Sequence, residues 1–128
     1  MPEYAIKATG LCKRFGRKVA VDGLDLSIPY GRVYGFLGRN GAGKTTTIKI
    51  LLGLLSPTAG SLSVLGLDPQ KQAKAIRLQV GYVAENQGMY GWMKVKEIIR
   101  FVKGFYSTWD SSYVQECLER YELDQKAK

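Results

Sequence analysis

Polar and apolar positions along the chain follow two rhythms, and each predicts a different element. Tyr4–Thr9 and Val19–Ile28 read as strands, the second alternating through Val19, Val21, Leu24, Leu26 and Ile28. A period of two puts one side of a strand in a core and the other in water. The intervening LCKRFGRK carries Gly16 and four cations, which suits a tight turn. Pro29 and Gly31 then separate this part from VYGFL (Val33–Leu37), an apolar run of the length of a buried strand. From Lys44 to Leu55 the rhythm changes. Ile48, Leu51, Leu52 and Leu55 fall at i, i+3, i+4 and i+7, one face of a helix, with Pro57 and Gly60 as its stop signal.

The second half repeats both rhythms on shorter segments. Ser61–Leu65 is predicted as a short strand between Gly60 and Gly66, Pro69–Arg77 as an exposed helix, and Val80–Ala84 as another short strand. Val95, Ile98, Ile99, Val102 and Tyr106 share one face of a helix over Val95–Tyr106. Val114, Cys117, Leu118 and Tyr121 do the same over Ser111–Tyr121, with Asp110 or Ser111 as N-cap. On that apolar face Cys117 reads as a small core residue rather than a reactive thiol. The tail from Asp124 is polar, patternless and without a cap or closing element.

Between the run Val33–Leu37 and the helix lies GRNGAGKT, Gly38 to Thr45, which fills the template G-x-x-x-x-G-K-[ST] of phosphate-binding loops. Gly38, Gly41 and Gly43 let the backbone take positive φ and approach a phosphate with no Cβ in the way. The N–H groups so exposed form an electropositive nest at a helix N-terminus. Lys44 sets a compact cation against β- and γ-phosphates, and Thr45 offers a hydroxyl to Mg²⁺. Strand, glycine loop and helix in that order is the context this chemistry requires. The expected ligand is a nucleoside triphosphate with Mg²⁺.

Bulk properties narrow the setting. With 128 residues, 45% apolar and 23% charged, the chain has the composition of one ordinary globular domain. Its organisation reads as a strand-rich part over 1–37, the phosphate loop and helix over 38–55, a loop region over 80–97 and a helical end over 95–121. No apolar run reaches the length of a membrane span, and MPEYAIKATG lacks the apolar stretch of a signal peptide. Cys12 and Cys117 provide neither metal-ligand spacing nor a disulfide framework, so a reduced, cytoplasmic setting is expected. The net charge of +8 admits nucleic acid or an acidic membrane surface as partner. The basic residues are spread along the chain without an aromatic-basic recognition signature, however, so no nucleic-acid site is expected. The chain has no histidine, which removes imidazole metal ligands and a histidine base.

Several segments together resemble the nucleotide-binding domain of ATP-binding cassette (ABC) transporters. The stretch from Thr9 to Asp68, beginning TGLCKRFG and continuing through the phosphate loop to LLSPTAGSLSVLGLD (Leu54–Asp68), tracks that family's opening. The fold class implied is α/β: a P-loop NTPase of the ABC ATPase type with an N-terminal antiparallel β part and a truncated core sheet. By itself Phe15 reads as a core phenylalanine in a hairpin; under the resemblance it stacks on the adenine ring. ATP would then be held by Phe15 together with Gly38, Arg39, Asn40, Gly41, Ala42, Gly43, Lys44, Thr45 and Thr46, and Mg²⁺ by Thr45 and Glu85. VGYVAENQGMYGWMKVKE (Val80–Glu97) is similar to the family's Q-loop region. Where the family usually has a Gln, this chain has Glu85, with Gln87 two residues later, and an acidic oxygen there would reach Mg²⁺ through water. Lys44 and Glu85 are the implied catalytic residues. Arg39 replaces the proline often found after the first loop glycine and adds positive charge near the phosphates.

The resemblance extends to partners. Met89, Tyr90, Trp92 and Met93 make an unusually apolar loop, either folded onto the domain's own helices or, as in the resembling family, facing an integral membrane subunit. That would hold the domain at the inner face of the cell membrane. A second nucleotide-binding subunit would close the site. No LSGGQ-like signature, no apolar strand ending in Asp-Glu and no switch histidine occurs, so the chain resembles the N-terminal portion of the family's domain, ending before its signature. Such a part is expected to bind ATP weakly, to hydrolyse it negligibly alone, and to pair with a second copy or aggregate through open sheet edges. Alternative readings are a soluble ABC-type ATPase acting on nucleic acid or ribosomes, another P-loop enzyme such as a kinase or GTPase, and a non-catalytic nucleotide-binding module. No Asn-Lys-x-Asp guanine-reading sequence supports a GTPase.

Overall fold

A computed structural model describes residues 2–38, 43–86 and 88–127. They form two compact units, Met1–Gly81 and Tyr82–Lys128. In the first unit, strands β1 (Tyr4–Phe15), β2 (Lys18–Pro29) and β3 (Ala59–Val64) make an antiparallel sheet in the order β2-β1-β3. Helix α1 (Lys44–Leu51) packs against it, and a short helix α2 (Ala73–Arg77) follows.

The hairpin is longer than the sequence predicts. Pairing runs from Tyr4 opposite Pro29 to Phe15 opposite Lys18, so only Gly16 and Arg17 turn. The four cations of LCKRFGRK therefore stand mostly on paired strand rather than in a loop. Bulges make this length possible. Gly10, at φ 57°, donates its N–H to Asp25 Oδ1 at 2.7 Å, and the register shifts between Ala8 and Leu11. An extra residue at a bulge resets the alternation, so Ala8 and Leu11, three apart, are both buried. With Val21, Leu26 and Ile50 of α1 they form the core, flanked by Leu24, Ile28, Phe36, Leu55 and Leu62.

Helix α1 stops at Leu51 rather than Leu55. Gly53 takes φ 69° and donates to Ile50 O, while Leu54 donates to Lys49 O at 2.8 Å. This paired closure satisfies the last carbonyls and needs a left-handed residue, which glycine supplies cheaply. The expected stop at Pro57 and Gly60 lies one turn too late. Leu55 still packs on the core from beyond the helix.

Two predicted strands do not form. Val33–Leu37 was expected to be buried, yet Val33 and Leu37 are 105% and 94% exposed and only Phe36 turns to the core. Val80–Ala84 has no ladder either, and Val83 is exposed. Apolar content alone does not make a strand; its N–H and C=O groups need a neighbour. None of the described strands pairs with either segment. A cavity of about 360 Å³, lined by Ile28, Tyr34, Phe36, Ile48 and Leu51 among others, lies between the unpaired run and α1. The helix in Pro69–Arg77 shrinks to the five residues of α2, and it is not wholly exposed: Ile76 and Pro69 are fully buried.

The second unit holds α3 (Val95–Lys103) and α4 (Ser111–Arg120). Lys94 donates its N–H to Glu97 Oε2 at 2.7 Å, closing the start of α3. Asp110 caps α4 as expected, its Oδ1 accepting from Tyr113 N–H at 2.9 Å. Cys117 is half-buried on α4 beside the buried Leu118, in keeping with a packing role. The tail does have a closing role, contrary to expectation. The Val95 and Lys96 N–H groups donate to the carbonyls of Ala127 and Gln125, so the tail satisfies orphan donors of α3.

Candidate nucleotide site

Helix α1 begins immediately after Gly43, which is left-handed at φ 84° and provides no side-chain cap. The first turn of α1 contains no acidic residue. Its leading N–H groups and the positive end of its dipole are therefore available to an anion. The Lys44 ammonium donates to the Gly38 carbonyl, joining the two ends of the glycine loop. Arg39, Asn40, Gly41 and Ala42 lie outside the described residues. Gly38 and Thr45 are exposed, and Gly43, Lys44 and Thr46 are half-buried. The Thr45 hydroxyl thus stands in the first turn of the helix, open to a ligand.

Space at the loop is set by the hairpin. A Cβ on Gly43 would lie 2.1 Å from the Ala20 carbonyl oxygen and 3.2 Å from Val21 Cγ2. Only a glycine lets the helix start so close to β2. Two contributors were missed by sequence reasoning. Ala20 presses its backbone on the loop's last glycine, and no pattern of side chains could have announced that. Thr47, the one buried polar residue among the described residues, accounts for itself: its hydroxyl donates to Gly43 O at 2.8 Å, as does its N–H. A threonine four residues from Gly43, one turn before Leu51 of the apolar stripe, is the signal that could have found it.

Phe15 ends β1 and is half-exposed, at 47%. It is therefore not the core phenylalanine that its hairpin position alone suggests, and its ring is available for stacking. It shares a hairpin with Ala20, so the same two strands carry the aromatic ring and buttress the loop. Glu85 belongs to the other unit, in an exposed bend, and Gln87 lies outside the described residues. Met89, Tyr90 and Trp92 are exposed, at 59%, 53% and 70%, and Met93 is half-buried. Tyr90 stands edge-on to Phe101 of α3 at 6.1 Å, and Phe101 edge-on to Phe105 at 5.2 Å.

Among the described residues the donor set suits a polyphosphate: a helix N-terminus without a side-chain cap, a lysine and no acidic residue in the first turn. Residues 82–128 carry as many acidic as basic side chains, so the whole positive surplus belongs to the unit with the loop. Charge of that sign raises the local concentration of an anionic ligand. Thr45 and Glu85, the Mg²⁺ ligands that the resemblance implies, belong to different units. Among the described residues no three acidic, Cys or His side chains converge. Among the described residues no helix is long and apolar enough to cross a membrane.

Comparison with known proteins agrees with this geometry. The chain is 37% identical over 123 residues to the bacitracin transport ATP-binding protein BcrA of Bacillus licheniformis, covering 96% of this chain and 40% of that protein. It is 40% identical over 104 residues to the probable multidrug ABC transporter ATP-binding protein YbhF of Escherichia coli strain K12, covering 81% of this chain and 18% of that one. The chain thus spans less than half the length of these relatives. The fold matches a solved ATP-binding subunit of an ABC transporter with a TM-score of 0.81 at 23% identity, over 96% of this chain and 53% of that one. The sequence profile of the ABC transporter family matches residues 21–128, from within β2 through the phosphate loop to the end of the chain; the chain belongs to the ABC transporter family.

Proposed function

We propose that this chain is the phosphate-binding part of an ATP-binding subunit that couples ATP binding and hydrolysis to transport through an integral membrane partner. One observation carries the reading: an uncapped helix N-terminus free of acid, with Lys44 at its first position reaching back across the loop to Gly38. The N–H groups of the loop and of α1, from Gly38 through Thr46, cradle the phosphates, and the ammonium of Lys44 exchanges the Gly38 carbonyl for phosphate oxygens. Arg39 adds charge at the rim. Phe15 offers its ring to the purine. Thr45, with its hydroxyl, and Glu85, with its carboxylate, would hold Mg²⁺, which would supply charge neutralisation between phosphate groups. Phosphoryl transfer depends on positioning and charge stabilisation, so these residues bind and orient, while the remainder of the longer relatives corresponds to parts that would order water and close the site.

Met89, Tyr90, Trp92 and Met93 form the contact with the membrane subunit, and the aromatic run through Phe101 of α3 and Phe105 beyond its end extends it. Exposed Met and aromatic side chains are typical of partner surfaces. This contact would keep the subunit at the inner face of the membrane, and a second nucleotide-binding subunit would complete the site. Calorimetric titration with ATP and Mg²⁺ tests the core of the reading. Binding is expected for the chain and its loss for Lys44→Ala; ATP affinity equal in the two proteins refutes it.

A further inference from the structure

Lys13 stands two residues before Phe15 on β1, so both side chains leave the same face of the strand. Its ammonium lies 5.0 Å from the centroid of the Phe15 ring. The same ammonium donates to the Ser56 carbonyl at 2.7 Å, in the turn that follows α1. That turn is itself tied to β1. Thr58 donates its N–H to Cys12 O at 2.8 Å, and Arg14 donates its N–H to Thr58 Oγ1 at 2.9 Å. A long lysine stem would ordinarily sample many rotamers in water. Here its tip is pinned at one end by a carbonyl and at the other by a ring.

We propose that Lys13 is a positioning residue for the nucleotide base. Anchored on Ser56, its charge fixes the tilt of the Phe15 ring and draws electron density to the face it covers. The opposite face is left less electron-rich and becomes the platform on which a π-rich purine stacks. Because Ser56 follows the helix that starts at the phosphate loop, the platform is referenced to the same element that holds the phosphates. The proposal rests on the reading of Phe15 as the base platform, and its test separates the two.

Dissociation constants of ATP and of inorganic tripolyphosphate, measured by calorimetry on the full chain, provide the readout. Phe15→Ala is expected to weaken ATP about tenfold or more, the range for loss of one base–aromatic stack. Lys13→Met is expected to weaken it about two- to fivefold, the range for one exposed cation–π contact, with Lys13→Arg restoring most of the loss. Tripolyphosphate, which has no base, is expected to bind all these variants equally. In the Phe15→Ala background Lys13→Met is expected to change nothing further. Should Lys13→Met fail to fold, Lys13→Gln keeps a donor for Ser56 without the charge and is expected to weaken ATP alone in the same way. Equal weakening of tripolyphosphate, or an undiminished effect of Lys13→Met without the ring, would show that Lys13 acts only through general charge and overturn the proposal. A costly Phe15→Ala with a neutral Lys13→Met overturns the role of Lys13 but leaves the platform standing. A neutral Phe15→Ala removes the platform and the proposal with it.

Discussion

Replacing Gly43 by alanine separates two demands on that position, since Gly43→Ala keeps the backbone N–H while adding a single methyl group. The added Cβ would sit 2.1 Å from the Ala20 oxygen, a backbone atom with no rotamer to escape into. Reaching even 3.0 Å requires β2 or the start of α1 to retreat by roughly 1 Å, with the sheet-to-helix packing around Val21 disturbed; overpacking of this kind costs about 1–3 kcal/mol. The left-handed φ of 84° adds about 1–2 kcal/mol for a residue with a Cβ. The sum, about 2–5 kcal/mol, is a large part of the 5–15 kcal/mol that typically separates a folded domain from its unfolded chain. Urea unfolding followed by circular dichroism should therefore show a midpoint lowered by about 1 M or more at an unchanged slope. ATP titration of the folded fraction should show weakened binding, because the helix start is displaced from its phosphates. Gly35→Ala is the control: it meets nothing within 4 Å and has no left-handed φ, so its stability should stay within about 0.5 kcal/mol. If Gly43→Ala unfolds at the same urea concentration as the parent and binds ATP normally, the close approach of β2 to the loop is wrong.

Three further outcomes follow from packing, capping and ionisation. Ile50→Ala, at a fully buried position in the centre of the core, should cost about 2–5 kcal/mol in the same unfolding assay, whereas Val33→Ala, fully exposed, should stay within about 0.5 kcal/mol; similar losses at both would contradict the placement of the core. Asp110→Ala removes the oxygen that accepts from Tyr113 N–H and should cost about 1 kcal/mol, with Asp110→Asn retaining most of it. The Tyr113 phenol is held above its ordinary value of 10.0, first by its hydrogen bond with Cys117 and then by the charge on that group. A pKa raised on folding means that the folded state holds the proton more tightly, so this contribution is full below pH 10 and fades as pH rises through the folded value. Ultraviolet titration should show two tyrosines ionising late, Tyr4 because of the Glu3 charge and Tyr113, and Cys117→Ala should move one of them back towards 10; an unmoved titration would remove Cys117 as the cause.

Local order in this protein is written in neighbouring residues, and the sequence by itself determined those parts. The glycine loop followed by a lysine and a helical stripe at Ile48, Leu51 and Leu52 defines the start of α1, because positive φ, anion-binding N–H groups and amphipathic period are properties of a dozen consecutive residues. The N-cap, expected at Asp110 or Ser111 and found at Asp110, and most of the strand expected over Ser61–Leu65, which forms over Ala59–Val64, were legible for the same reason. The resemblance carried by Thr9–Asp68 pointed to the family that the matched profile then showed.

What remained was decided by contacts between residues distant in the chain. Whether Val33–Leu37 becomes a strand depends on a neighbour to accept and donate its hydrogen bonds, and an apolar run cannot specify that it has one. Gly53 rather than Pro57 ends α1 because Ala73 Cβ and the Pro69 carbonyl, each 2.5 Å from where a Cβ would stand, leave no room for one. Ala8 and Leu11 share a core face only because Gly10 and Asp25 lock a bulge. In the site, chemistry was legible and placement was not: Lys44 and Thr45 announce themselves by type and spacing and Phe15 only through the family resemblance, while Ala20 against Gly43 and Lys13 over Phe15 arise only when the chain folds. Propensity and motif act over one turn or one strand, and packing acts across the core, which is why the loop motif named the ligand class and only the tertiary structure showed what shapes its cradle.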